Sequence, residues 1–177
     1  MKVNFKLFFI LAGLAAILSS CRTSAPRLDY QALARASLLL GVDINLEDNH
    51  KLYLEAAMDS APYRGGGDSK KGTDCSGMVY QIYRKIYRTQ VPRNSEELKN
   101  KSNKIAKRNL KEGDLVFFSS NRSKKKVAHV GIYLKNGKFI HSSTSRGVIA
   151  AGWAKIITAG IGYAVAEYVN NQINNPK

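Results

Sequence analysis

Cys75 lies in Gly72-Thr73-Asp74-Cys75-Ser76-Gly77, His129 in Ala-His-Val-Gly-Ile-Tyr, and His141 in Phe-Ile-His-Ser-Ser. A thiol, a base for it and a group to orient that base are the parts of nucleophilic acyl transfer. Asp74 is a good N-cap, so Cys75 falls in the first turn of a helix, where the backbone dipole favours an anion. Helix N-termini lower a thiol pKa from about 8.5 toward roughly 3.5–7.5. Position alone makes Cys75 a candidate nucleophile. A metal centre fits poorly, because no close-spaced pair such as Cys-x-x-Cys or His-x-x-x-His is present.

The elements around these residues must bring them together. Cys75, Val79, Ile82 and Ile86 fall at i, i+4, i+7 and i+11, which predicts one helix from Cys75 to about Arg88. Gly113–Ser119, His129–Leu134 and Lys138–Ser143 read as strands, with Asn136-Gly137 turning the last two into a hairpin. Loop length then decides the chemistry. A two-residue loop pairs Lys135 with Lys138 and puts His129 and His141 on opposite faces. A three-residue loop, with Gly137 left-handed in a bulge, pairs Leu134 with Lys138 and puts both on one face with Gly131, Tyr133 and Phe139. The three-residue form is expected, with His141 opposite Gly131.

Upstream, Asp29–Leu40 predicts a short helix and Asn49–Ser60 a better one, ending before Ala61-Pro62. Arg64 to Gly72 reads as a loop, whose three consecutive glycines let backbone approach something closely. His50 reads as solvated, and Trp153, in the apolar stretch from Ala150 to Val169, as core.

The N-terminus sets the compartment. Lys2 and Lys6 precede a twelve-residue apolar run, Leu7–Leu18, too short for the roughly 20 residues of a membrane span. Residues 1–20 therefore read as a signal peptide. Leu18-Ser19-Ser20-Cys21 resembles a bacterial lipobox, which implies acylation of Cys21. Residues 21–48 would then be an anchored tether with the short helix, 49–170 the domain and 171–177 a polar tail. Acylation of Cys21 leaves Cys75 as the one remaining thiol, in an oxidising compartment that discourages idle thiols. Lys2 and Lys6 carry two of the 15 net positive charges, so +13 remains on 157 residues. That length makes one domain, and the charge suits an anionic envelope rather than nucleic acid. The cluster Arg122-Ser-Lys-Lys-Lys126 reads as a solvated loop.

Six segments resemble, in order, the NlpC-type family of bacterial cell-wall cysteine peptidases. They are Pro62-Tyr63-Arg64-Gly65-Gly66, Asp74-Cys75-Ser76-Gly77, Pro92-Arg93-Asn94-Ser95, Gly113-Asp114-Leu115-Val116-Phe117-Phe118, His129-Val-Gly-Ile-Tyr133 and Gly137-Lys-Phe-Ile-His-Ser142. The resemblance implies a papain-like α+β fold, with the cysteine helix packed on a central antiparallel sheet. It implies Cys75 as nucleophile, His129 as base, His141 as orienter and Tyr63 as an oxyanion donor, with Asp74, Ser76 and Arg64 lining the substrate site. The implied reaction is hydrolysis of an amide in peptidoglycan stem peptides, usually between γ-D-glutamate and the diamino acid. No cofactor or metal is implied. The expected setting is a monomer on the periplasmic face of the envelope, anchored to the outer rather than the inner membrane through Cys21. The alternatives are a papain-like amidase or acyltransferase, or a non-catalytic lipoprotein that binds stem peptides. Where the family commonly has Arg-Thr-Ser followed by glutamine, this chain reads Arg93-Asn94-Ser95-Glu96-Glu97.

Overall fold

A computed structural model describes residues 28–120, 123–153 and 163–170. The expected signal peptide, residues 21–27 of the expected tether with Cys21, Arg122 of the basic cluster and the expected polar tail 171–177 lie outside the described residues.

Two helices come first. Helix α1 (Tyr30–Leu40) is capped by Asp29, which accepts from Ala32 N–H at 3.0 Å, and is closed by left-handed Gly41. It buries Leu33, Ala36 and Leu40, an i, i+3, i+7 stripe. Helix α2 (His50–Met58) is capped by Asn49 and buries Leu52, Tyr53 and Ala56. Both match the expected segments. His50 is not simply solvated: its Nε2 lies 2.8 Å from the Asn45 carbonyl.

Residues 64–72 depart from a plain loop. They carry a short hairpin, β1 (Asp68–Ser69) against β2 (Gly72–Thr73). Of the three glycines only Gly67 meets tight backbone, where an added Cβ would lie 2.4 Å from the Gly72 carbonyl oxygen; one on Gly65 would meet nothing within 4 Å.

Helix α3 runs Cys75–Ile82 and continues as a five-residue π turn, Tyr83–Tyr87, ending at left-handed Arg88. The expected single α-helix to Arg88 is therefore corrected. A π turn takes an extra residue per turn, so positions beyond it rotate off the face that α-helical spacing assigns. Ile86, inside the turn, is half-buried against the main core, while Tyr83 is fully buried and donates its hydroxyl to the Gly113 carbonyl at 2.7 Å.

Helix α4 (Ser95–Asn100), capped by Asn94, leads into the sheet strands. These are β3 (Asn103–Ile105), β4 (Leu115–Ser120), β5 (Ser123–Tyr133), β6 (Lys138–Ser143), β7 (Gly147–Gly152) and β8 (Tyr163–Asn170). All pairings are antiparallel and the order is β3-β8-β4-β5-β6-β7. Strand β5 begins at Ser123, so Ser123–Lys126 is strand backbone rather than the expected loop, and Ser123 pairs with Ser120.

The hairpin register is the one the chemistry needs. Tyr133 pairs with Phe139 and Ile132 with Ile140. Lys138 N–H reaches Lys135 O at 2.9 Å across Asn136-Gly137, and Leu134 N–H reaches Lys138 O at 2.9 Å. Asn136 and Gly137 both have positive φ (53° and 73°), the signature of a I′ turn, and Lys135 is the bulged residue. The bulge turns Lys135 onto Asp48, and Glu112 accepts from Tyr53 hydroxyl and Asn49 N–H, so the hairpin end is tied to α2.

Alternate residues divide the core. Leu115, Phe117, Val130, Ile132, Leu134 and Ile140 face the helices, packing with Leu52, Met78, Val79 and Ile82. Val116, Phe118, Phe139 and Ala151 form a second cluster on the other face, with Tyr133 and Trp153 against it. Trp153 stacks on Tyr133 and contacts Phe139, as a core residue would.

Candidate active site

The cysteine turn is held from four directions. Asp74 Oδ1 accepts from Gly77 N–H at 2.7 Å and lies 2.9 Å from the Ser76 hydroxyl, while Oδ2 accepts from Gly66 N–H at 2.8 Å. Burial raises the Asp74 pKa, but these hydrogen bonds and the nearby Arg93 charge outweigh it and hold the carboxyl below its ordinary range. Asp74 is therefore an anion that fixes the helix start. Cys75, the free thiol among the described residues, is half-buried against the main core, with Sγ 3.6 Å from Ser95 Oγ.

The segment before it runs alongside. Tyr63 bridges to Thr73, Arg64 N–H donates to Thr73 O, and Thr73 N–H donates to Pro62 O. Tyr63 is 40% exposed, and its hydroxyl makes no hydrogen bond among the described residues, so it is open to a ligand. Arg64 is exposed and lays its side chain across Gly72. Ser76 is buried, its hydroxyl between Asp74 and the Arg93 carbonyl.

His129 and His141 share one sheet face, as the hairpin argument requires. His129 Nε2 lies 2.8 Å from His141 Nδ1, with the rings edge to face. Gly131, two residues on from His129, is tightly packed: a Cβ there would lie 2.7 Å from the Ile140 carbonyl and 3.0 Å from the Phe139 ring. Burial, then the His141 charge, pushes His129 down to about 3, with Asp74 acting the other way. Burial, then Arg146, pushes His141 down to about 4. Both imidazoles are neutral at pH 7. Helix α3 packs on β5 and β6, Ser142 hydroxyl donates to Thr73 O at 2.8 Å, and the Asp74 charge reaches His129. Those contacts join the cysteine turn to the two strands that carry the histidines.

Two residues without an assigned role at the sequence level belong here. Arg93 donates through Nη2 to the Gly66 and Gly67 carbonyls at 3.1 and 2.9 Å and sits 3.4 Å from Asp74 Oδ1, clamping the 62–67 segment to the helix start. Ser95 meets the thiol. The Pro92-Arg93-Asn94-Ser95 segment marked both, but nothing in their types shows where a segment 18–20 residues downstream will fold.

A free cysteine in the first turn of a capped helix, packed on an antiparallel sheet that carries a hydrogen-bonded histidine pair, places this fold in the papain-like α+β class. Residues 60–166 match the NlpC/P60 family, and the chain belongs to that family. It is 31% identical to the probable endopeptidase NlpC homolog of Haemophilus influenzae, over 86% of this chain and 96% of that one. It is 33% identical to the probable endopeptidase NlpC of Escherichia coli K12, over 80% and 86%. It is 42% identical to the murein DD-endopeptidase MepS/murein LD-carboxypeptidase of the same strain, over 49% of this chain and 45% of that one. Among solved structures, an NlpC/P60 family protein from Bacillus cereus superposes with a TM-score of 0.56 at 31% identity, over 66% of this chain and 38% of that one. No helix among the described residues is long and apolar enough to cross a membrane.

Proposed function

We propose that this protein is a cysteine endopeptidase that hydrolyses an amide in peptidoglycan stem peptides, between γ-D-glutamate and the diamino acid. The observation that carries the reading is the 2.8 Å His129–His141 contact, on strands that pack with the capped helix that opens at Cys75. The murein endopeptidase activity in the name of the Escherichia coli relative, and the γ-DL-glutamyl hydrolase activity of a Bacillus subtilis relative, support the substrate class.

One tautomer of this hydrogen bond suits the chemistry. If His129 Nε2–H donates to His141 Nδ1, the lone pair of His129 Nδ1 is left to act as base. His129 takes the thiol proton, and the Cys75 thiolate attacks the carbonyl carbon. The tetrahedral oxyanion lies toward Cys75 N–H and the Tyr63 hydroxyl, each such donor being worth about 2.7–4 kcal/mol. Protonated His129 hands its proton to the leaving amine, giving a thioester, and water then attacks that thioester with His129 again as base. The products are a γ-carboxylate and a free amine, and the thiol is restored. Asp74 holds the frame, while Ser76 and Arg64 border the substrate's path. Cys21 carries the lipid that keeps the domain at the periplasmic side of the envelope.

The test is the purified protein, with and without Cys75→Ala, on isolated muropeptides read by mass spectrometry. Cleavage by the first alone supports the thiol mechanism, and fragment masses name the bond, separating an endopeptidase from an amidase. Intact muropeptides with folded wild-type protein would refute the reading. Release of Cys21→Ser protein into the soluble fraction tests the anchor.

A further inference from the structure

Helix α1 is apolar on two sides, and only one of them is buried among the described residues. Leu33, Ala36 and Leu40 make the buried side. Tyr30, Ala34 and Leu38 run along the outer side at i, i+4 and i+8, with Leu39 beside them. Leu46, in the loop that follows, joins Tyr30 and Ala34 in lining an open groove of about 640 Å³. Tyr30, Leu38, Leu39 and Leu46 are 67–84% exposed, and the other large apolar side chains as open as these or Tyr63 are confined to Met58. Single exposed apolar residues are ordinary, whereas several on one surface mark a face that something covers.

Two observations say what covers it. Tyr30 stands nine residues after Cys21, a span of at most about 30 Å of extended chain. With Cys21 acylated, α1 is the first described element after the anchor, and lipid meets its outer side at a high effective concentration. The second observation is charge. Exposed Arg35 is set against exposed Asp43 and Glu47, so residues 30–47 carry no positive surplus to draw a polyanion. What they offer a lipid surface is a tyrosine, suited to the headgroup level, and leucines, suited to the acyl boundary beneath it.

We propose that the outer side of α1, together with Leu46, rests on the bilayer and holds the domain in one orientation there. The proposal rests on the acylation of Cys21 and adds the face and the manner of contact. The acyl chains supply attachment, and the apolar side of the helix supplies orientation. A leucine that leaves water completely favours the contact about tenfold or more. Leu38 and Leu39 together therefore bias the orientation by about a hundredfold.

The test uses the full acylated protein in phosphatidylcholine vesicles whose acyl chains are brominated, because bromine quenches a tryptophan that touches it. Leu38→Trp is the reporter, and Lys101→Trp, at the exposed end of α4, is the control. The wild-type protein supplies the signal of Trp153, the one native tryptophan, for subtraction. The reporter should be quenched and the control not, with no change at high salt or when anionic phosphatidylglycerol is added. Adding Tyr30→Ser and Leu39→Ser to the reporter should remove most of the quenching while the protein still floats with the vesicles. A floating protein whose reporter is not quenched overturns the proposal and leaves the anchor standing; a blue-shifted emission in that case gives the face to a protein partner. Equal quenching at both positions, or quenching lost at high salt, also overturns it. Protein that does not float overturns the acylation reading and this inference with it, and leaves the peptidase reading untouched.

Discussion

Replacing Gly77 by alanine tests how closely the loop and the cysteine helix are fitted. A Cβ at Gly77 would lie 2.0 Å from the Gly67 carbonyl oxygen and 2.7 Å from both Arg93 Nη1 and Thr73 Oγ1. Ordinary contact begins near 3.4 Å, so the carbonyl must retreat by about 1.4 Å. That oxygen accepts from Arg93 Nη2 at 2.9 Å and from Asp74 N–H at 3.1 Å. Losing both, at about 1 kcal/mol each, adds to an overpacking cost of about 1–3 kcal/mol. Alanine returns up to about 1 kcal/mol of helix propensity. The net expectation is a loss of about 2–4 kcal/mol, read from urea unfolding. Activity should fall further than stability, because a displacement of about 1 Å in a reacting centre can cost roughly a hundredfold. Gly65→Ala is the control: its Cβ meets nothing within 4 Å, and its stability should move by less than about 0.5 kcal/mol. A Gly77→Ala protein as stable and active as wild type would refute the claim that this glycine exists for close approach.

Other outcomes follow from the same geometry. His141→Ala should lower kcat about tenfold or more with the fold retained, since it removes the partner of His129 Nε2, and His141→Asn should recover part of the loss by offering an acceptor; unchanged turnover would exclude an orienting role. Between about pH 6.5 and 4 the unfolded chain takes up protons on His129 and His141 that the folded protein refuses, so stability should fall as pH falls, by up to about 1.4 kcal/mol per pH unit for each histidine. Denaturation midpoints that stay level across that window, or the same slope in a His129→Gln, His141→Asn double variant, would contradict the burial argument. Tyr83→Phe should cost about 1–3 kcal/mol, because it leaves the Gly113 carbonyl without its 2.7 Å donor; a thermal unfolding curve checks it.

What could be read in the sequence was local. The capped start of α3 needed only Asp74 and the apolar spacing behind it, and the histidine pairing needed only the alternation of a strand and the length of one turn. Both were legible because the interacting residues are near neighbours or are related by a hairpin. The π turn was not, since its cause is tertiary: Tyr83 is drawn to the Gly113 carbonyl thirty residues away. The roles of Arg93 and Ser95 were hidden for the same reason, as each acts on a segment 17 to 27 residues earlier. The run Ser123–Lys126 looked like a loop because its charges suggest solvent, yet strand pairing is a backbone matter, and Ser123 has Ser120 to pair with.

The sheet order has a consequence for how the molecule comes into being. Strand β4 sits between β5, which follows it directly, and β8, which is made more than forty residues later. A chain built from its N-terminus thus completes the cysteine helix and the histidine hairpin while one side of β4 still has open hydrogen-bonding groups, and β3 waits unpaired until the same strand arrives. Closing so long a loop is entropically slow. In that interval the naked β4 edge can recruit a strand from another chain as readily as its own. A nascent chain halted before Tyr163 should therefore aggregate or call on chaperones, although every residue assigned to the chemistry has already been made.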